Sequence, residues 1–251
     1  MNLGLIGYGK MGRLIHRIAQ ERGHTVEVII DPHAPEATAQ TLAASLAADV
    51  YIDFSHPAAV VENIETACAH GLNIVVGTTG WNDELPRIRS LVESSGNGFV
   101  WASNFSPAVQ SFFRIVRRAA ELANALPECD IAMWEAHHRH KADAPSGTAL
   151  SVGNILLDEV ERKRELLLDR PEGKICEDQL HLATIRGGEI PGTHSVLFDF
   201  PAETIELKSI SRNRDGFALG AVMAAEWLQG KQGFFCYDEV FEEVIRTYTP
   251  S

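Results

Sequence analysis

The sequence predicts an α/β protein: a mostly parallel sheet with helices on its faces, followed by an α+β unit carrying a mostly antiparallel sheet. Three observations lead there. Over the first hundred residues, short β-rich apolar runs alternate with stretches of helical period. Glycines 23, 71 and 96 fall just past three of those stretches, where a helix C-terminus favours glycine. After residue 105 the pattern changes to a long helix and then three closely spaced strands.

Taken in order, residues 2–6, 25–30, 50–54, 73–76 and 99–102 read as strands. Residues 10–22, a weaker stretch at 35–45, and residues 58–70 and 83–94 read as the helices between them. A helix over 112–126 is ended by Pro127, a strand covers 130–136, and a helix over 147–163 is opened by Pro145-Ser146. Residues 164–179 are polar and read as a loop. Strands at 181–186, 194–201 and 204–211 make an antiparallel meander, and helices at 217–229 and 238–247 close the chain. Helices arriving after the meander suggest that the last segment packs back on the first domain. The expected division is 1–104 with 217–251, and 105–216.

Composition narrows the function. The 251 residues are 45% hydrophobic, enough to build a core, which excludes a disordered chain. A balance of 22 Lys+Arg against 34 Asp+Glu leaves a formal charge of −12, which speaks against nucleic acid or an anionic membrane as partner. No apolar run approaches the ~18 residues of a membrane helix. The four cysteines form no Cys-x-x-Cys pair, so no disulfide framework or zinc ribbon is expected, and a cytoplasmic location is.

The first strand runs into Gly7-Tyr8-Gly9-Lys10-Met11-Gly12. In this setting Gly7 allows a tight turn, Gly9 lets backbone approach a pyrophosphate, and Gly12 lets helix and strand pack closely. The helix N-terminus offers N–H donors to the phosphates. Asp31 ends the second strand nineteen residues after Gly12, placed to accept hydrogen bonds from an adenosine ribose. Gly77-Thr78-Thr79-Gly80 and Ala102-Ser103-Asn104-Phe105 follow the fourth and fifth strands, at the carboxyl ends where open α/β sheets bind ligands. A dinucleotide site is the expectation.

A second stretch carries different chemistry. Glu135-Ala136-His137-His138-Arg139-His140-Lys141 brings five consecutive residues able to hold positive charge into an acidic chain. Such a cluster suits carboxylates, and His and Lys also deliver protons. Pro145, Ser146, Gly147 and Thr148 open a helix beside it and add backbone N–H donors. A metal held by Glu135, His137, His138 and His140 is disfavoured, because the spacing is not that of helical zinc ligands and Arg139 and Lys141 repel a cation. A dicarboxylate site next to a dinucleotide is the expectation, with no metal.

Residues 135–149, Glu-Ala-His-His-Arg-His-Lys-Ala-Asp-Ala-Pro-Ser-Gly-Thr-Ala, resemble the signature of the 4-hydroxy-tetrahydrodipicolinate reductase (dihydrodipicolinate reductase) family. The resemblance extends to residues 7–12, Ile52-Asp-Phe-Ser55, residues 77–80, Asn104-Phe-Ser106, Arg186-Gly-Gly-Glu-Ile190 and Phe217-Ala-Leu-Gly-Ala221, and so spans nearly the whole chain. It implies a Rossmann-type dinucleotide-binding domain, a substrate-binding and oligomerisation domain, and usually a homotetramer built by packing of the C-terminal sheets. It implies NAD(P)H-dependent reduction of a cyclic dicarboxylic acid, with loss of water, in the diaminopimelate route to lysine. His137 matches a proton donor/acceptor, Lys141 a proton donor, His138 a substrate contact, and Gly147 with Thr148 a backbone pocket for a carboxylate. Gly7, Tyr8, Gly9, Lys10, Met11, Gly12, Asp31, Gly77, Thr78, Thr79, Ala102, Ser103, Asn104 and Phe105 match the cofactor contacts. Other readings that the sequence leaves open are another two-domain NAD(P)-dependent amino-acid or oxo-acid dehydrogenase, or a non-catalytic NAD(H) sensor.

Cofactor choice turns on the residue after Asp31. Members of the family often place a basic residue there; here it is Pro32, which has neither charge nor N–H. NADH is the expected preference, with His33, Lys10 and Arg13 as the residues that would oppose it by clamping a 2′-phosphate.

Overall fold

The computed structural model describes residues 1–45, 47–168, 171 and 173–248. It divides into two compact units, Met1–Pro107 with Arg214–Ser251, and Ala108–Asn213.

In the first unit, β1 (Asn2–Ile6), β2 (Thr25–Ile30), β3 (Val50–Asp53), β4 (Asn73–Val76), β5 (Gly98–Trp101) and β11 (Gly233–Cys236) form one sheet. The order is β11-β5-β4-β3-β1-β2, and every pairing is parallel. Helices α1 (Lys10–Glu21), α2 (Pro57–Ala69), α3 (Leu85–Ser95), α6 (Asp215–Leu228) and α7 (Tyr237–Arg246) cover it. Alternate strand residues feed two cores. Leu3, Leu5, Val50, Ile52, Val75 and Val100 meet α1, α6 and α7, while Ile6, Tyr51, Ile74, Val76 and Phe99 meet α2 and α3. A sheet buried on both faces explains why these strands read as unbroken apolar runs. Gly23, Gly71 and Gly96 adopt φ of +81°, +65° and +73° just past α1, α2 and α3, the conformation that the sequence reading assigned to them.

Two expectations for this unit are corrected. The stretch 35–45 is not a helix; it contains only a 3-10 turn at Leu42–Ala44. The backbone N–H groups of Thr38 and Ala39 donate to Ile29 O, and the Thr38 hydroxyl bonds Ile29 as well, so the segment lies along the edge of β2. Strand β11 was not anticipated: it is four half-buried residues starting at a glycine, too short for a period to show.

In the second unit, β6 (Asp130–His137), β7 (Glu165–Leu167), β8 (Gln179–Arg186), β9 (Thr193–Asp199) and β10 (Thr204–Ile210) form a sheet of order β10-β9-β6-β8-β7. The expected mostly antiparallel sheet is met only in part. β9 pairs antiparallel with β10 and β6, but β6–β8 and β7–β8 are parallel, so the sheet is mixed. β6 inserts between β8 and β9, which breaks the expected meander. Within residues 164–179, read as loop, β7 adds an edge strand; residues 169, 170 and 172 lie outside the described set. Helices α4 (Pro107–Asn124) and α5 (Gly147–Glu159) bury one face against Ile131, Met133, Leu180, Leu182, Val196 and Phe198. α4 begins five residues before its expected start, at a proline suited to a first helical turn. α5 ends four residues early, where Lys163 turns inward to Asp130 and to the carbonyls of Glu177 and Gln179.

Candidate active site

At the carboxyl end of the parallel sheet, the three motif glycines meet three different surroundings. A Cβ on Gly7, at φ +87°, would stand 2.4 Å from the Phe54 carbonyl oxygen, and one on Gly12 would stand 2.2 Å from the Gly7 carbonyl oxygen. A Cβ on Gly9 would meet nothing within 4 Å. Gly9 borders a cavity of about 430 Å³, lined also by Lys10, Met11, Phe54, Ser55, Pro57, Gly77, Thr78 and Thr79. Two glycines are thus fixed by close backbone and the middle one borders open space, as a pyrophosphate cradle requires. The residues fit a dinucleotide.

Asp31 does not line that cavity but is tied to the glycine loop. Its carboxylate accepts N–H bonds from Tyr8 (2.7 Å), His33 (2.7 Å) and Ala34 (3.1 Å). Burial pushes its pKa up, but the three donors outweigh that and hold it below the usual carboxylate range. Arg13, a possible phosphate clamp, is already engaged: its guanidinium forks onto Glu36 at 2.6 and 3.0 Å. The Gly77 loop rests on Phe54, whose ring would lie 2.1 Å from a Gly77 Cβ. Ala102, Ser103, Asn104 and Phe105 follow β5, the neighbour of β4, without lining the cavity; Phe105 is buried against Phe54 and Tyr237.

Beneath this cavity lies a group that sequence reasoning missed. Asp53, at the end of β3, is fully buried and accepts from Ser55 N (2.9 Å), Ser55 Oγ (2.7 Å), Thr78 Oγ1 (2.7 Å) and Asn63 Nδ2 (2.8 Å). Its burial raises the carboxyl pKa even against these four neutral donors. The only signal was its place in Ile52-Asp-Phe-Ser55, a motif in which it had no assigned role.

In the second unit the cationic stretch does not stay together, which corrects the expectation of a single positive cluster. β6 ends at His137 and the chain turns, with Lys141 N donating to His138 O, so successive side chains diverge. Arg139 and His140 are exposed and face Glu189 at 3.9 and 3.5 Å. Lys141 is held by both oxygens of Asp143, at 2.8 and 2.9 Å. His138 is half-buried, its Nδ1 without a hydrogen-bond partner. His137 is buried, and its pKa is pushed down to about 4, chiefly by desolvation. It is neutral near pH 7.

Around His137 the sheet gathers groups that the sequence reading left without roles. Glu135 shares its face of β6 and has no exposed surface. Arg186, at the end of β8, donates to Glu135 Oε1 at 2.7 Å and to Asp143 O at 2.8 Å. Ser146 N, at the cap of α5, donates to both Glu135 oxygens at 3.1 and 3.2 Å. His194 Nε2 lies 3.1 Å from Ser146 Oγ and 3.6 Å from Glu135 Oε2. His137 Nδ1 is 3.3 Å from Glu135 Oε2. Burial pushes the Glu135 carboxyl up, but His194, Ser146 and Arg186 outweigh it and hold it far below its usual range. Candidate ligand atoms of Glu135, His137 and His194 lie within 4.8 Å of one another, but the guanidinium on the same carboxylate opposes a metal ion. Ser146 Oγ caps Ala149 N–H, and Gly147 is exposed with nothing within 4 Å of its Cβ position. Arg186 stood in a motif of the family resemblance; His194, one histidine in a strand, gave no local signal.

With this geometry established, comparisons with known proteins place the chain. The family model described as "Dihydrodipicolinate reductase, N-terminus" matches residues 1–105, and "Dihydrodipicolinate reductase, C-terminus" matches residues 108–241. A 4-hydroxy-tetrahydrodipicolinate reductase of Christiangramia forsetii is 34% identical over 98% of this chain and 100% of its own length. One from Methanoregula boonei is 38% identical over 89% and 90%. Among solved structures, dipicolinate-bound dihydrodipicolinate reductase from Paenisporosarcina sp. TG-14 superposes with a TM-score of 0.78 at 20% identity, covering 96% of this chain and 99% of that one. C. glutamicum DAP dehydrogenase shares the fold at a TM-score of 0.56 and 15% identity, over 100% and 96%. Matched in both halves by the family's models and along nearly its full length by the family's members, this chain belongs to the dihydrodipicolinate reductase family.

Proposed function

We propose that this protein reduces 4-hydroxy-tetrahydrodipicolinate to tetrahydrodipicolinate, with loss of water, in the diaminopimelate route of lysine biosynthesis. The observation that carries the reading is the family match in both halves, 1–105 and 108–241, joined to a glycine loop that opens only at Gly9. Bound at that loop, a nicotinamide dinucleotide supplies the hydride. Residues 1–104 with 217–251 bind it, and residues 105–216 bind the substrate and build the oligomer.

Within that reading, Gly7–Gly12, Asp31, Gly77, Thr78, Thr79 and residues 102–105 hold the cofactor. One substrate carboxylate sits at the backbone of Gly147 and Thr148, supported by the open space at Gly147. His138 contacts the substrate, Lys141 donates a proton to the reduced ring, and His137 exchanges one. Asp143 orients the Lys141 amine for that role. NADH is preferred over NADPH: Asp31 presents a carboxylate at the ribose position, and Glu36 occupies Arg13. The protein is cytoplasmic and a homotetramer, assembled through the sheet face opposite α4 and α5. Trp134, Ile185, Leu197 and Ile210 stand on that face, and Ile185 and Ile210 are exposed. Sedimentation should find four chains.

The activity is tested by supplying pyruvate and aspartate semialdehyde with the upstream synthase and monitoring loss of NADH or NADPH. Substrate-dependent oxidation is expected. Cofactor binding without turnover would instead support the sensor reading.

A further inference from the structure

We infer that Glu135 is the positioning residue of this active site, holding His137 as the Nδ1–H tautomer so that Nε2 is left as a proton acceptor. This rests on the proposed role of His137 and goes beyond it.

The geometry carries the argument. A neutral imidazole has one N–H and one bare nitrogen. His137 Nδ1 is buried and has no hydrogen-bond partner, and Glu135 Oε2 stands 3.3 Å from it. A fully buried carboxylate at that distance favours a proton on the nitrogen facing it and disfavours a lone pair there. The ring is fixed on its other sides. His194 packs against it edge-on, with centroids 5.2 Å apart and planes at 72°. Gly192, at φ +154°, lies by the Nε2 edge, where a Cβ would come within 3.2 Å of Nε2; glycine keeps that nitrogen uncovered.

Glu135 does this while bonded to three other elements. Arg186 on β8 and Ser146 at the cap of α5 donate to it, and His194 on β9 faces it. The carboxylate therefore sets the proton on His137 and ties the carboxylate-binding end of α5 to the same point. Glutamine cannot replace it: one amide oxygen would have to serve Arg186, Ser146 and His137, and its NH₂ would face donors. The assignment makes His137 the acceptor in the resting protein and leaves donation to Lys141.

The tautomer is read directly by two-bond ¹H–¹⁵N NMR on ¹⁵N-histidine-labelled parent protein, with His137→Asn identifying the resonances. The Nδ1–H pattern is expected at pH 7; an Nε2–H pattern overturns the inference, whatever any variant does. Glu135→Gln should move His137 toward Nε2–H and lower kcat ~10²-fold, with the Kd for NADH within about twofold of the parent. Glu135→Asp keeps the charge and should recover part of kcat. A folded Glu135→Gln protein with parental kcat and tautomer refutes the inference. Failure of the parent to oxidise NADH with substrate refutes the functional reading instead, and the parent NMR result stands apart from it.

Discussion

Asp53 and Glu135 are both strand-end carboxylates without exposed surface, one in each unit, and they respond to burial in opposite directions. Asp53 takes four hydrogen bonds from hydroxyl and amide donors, and its pKa is raised. Glu135 faces the guanidinium of Arg186 and two imidazoles, and its pKa is depressed. Desolvation acts on both; it outweighs the hydrogen bonds at Asp53 and is outweighed at Glu135 by those of His194, Ser146 and Arg186. In the first unit burial thus shifts a carboxyl beneath the glycine-loop cavity toward its neutral form. In the second unit a buried carboxyl is held as an anion beside a histidine.

The largest effect should come from removing the two proposed proton carriers of the second unit. His137→Ala and Lys141→Ala are expected to lower kcat by ~10²–10⁴-fold while the Kd for NADH, measured by fluorescence, stays near the parent. Parental kcat in both would mean that the charged network is structural only.

Next comes the cation that distinguishes the two carboxylates. Arg186→Met leaves Glu135 buried without its guanidinium and should cost about 3 kcal/mol in urea unfolding at pH 7. The loss should shrink as pH falls through the ordinary carboxylate range, where Glu135 of the variant, freed of the guanidinium, takes up a proton. An unchanged urea midpoint would show that the pair contributes nothing.

The opposite signs predict opposite slopes. Glu135, with its folded pKa depressed, stabilises above its unfolded pKa of ~4.3, and that contribution is lost as pH falls through its folded pKa. Asp53, with its folded pKa raised, stabilises below its unfolded pKa of ~3.9, and that contribution is lost as pH rises through its folded pKa. Relative to the parent, Asp53→Asn should gain stability as pH rises above the ordinary aspartate pKa of ~3.9, whereas Glu135→Gln should lose it as pH rises toward the ordinary glutamate pKa of ~4.3. The Glu135 trend should amount to ~1 kcal/mol or more. Slopes of the same sign would dissolve the contrast.

The smallest effect lies at the edge of the cofactor site. Glu36 and Arg13 are about half exposed, so water screens their ion pair and it contributes little. The parent should give a kcat/KM ratio for NADH over NADPH above one at low ionic strength. Glu36→Gln, by freeing Arg13, should lower that ratio by up to ~5-fold. A ratio that rises would place Arg13 away from the 2′ position.

How much the sequence disclosed depends on how local each signal is. The glycine loop, Asp31 and the strands of the first unit were legible because turn sterics and two-sided burial act on consecutive residues. The stretch 35–45 misled because its backbone bonds go to Ile29, a partner that periodicity does not see. The mixed order of the second sheet was hidden for the same reason: whether β8 lies beside β9 or beside β6 depends on long-range pairing. In the site, the types of residues 135–148 were readable, but which of them stay together was not. The turn after His137 sends Arg139 and His140 outward, while Arg186 and His194 arrive from distant strands.

The core of the first unit bears on how the protein is made. It combines Leu3, Leu5, Val50 and Val100 with Ala218–Leu228 and Tyr237–Val244, and β11 completes the sheet beside β5. The second unit is one uninterrupted stretch, Ala108–Asn213. During synthesis from the N-terminus, the unit that begins first must wait for residues beyond 213, while the unit that begins second can finish before it. Released chains truncated after residue 213 should therefore resist protease over 108–213 and be cut within 1–107. The sheet that carries the glycine loop is complete and covered only once α6, β11 and α7 have been made.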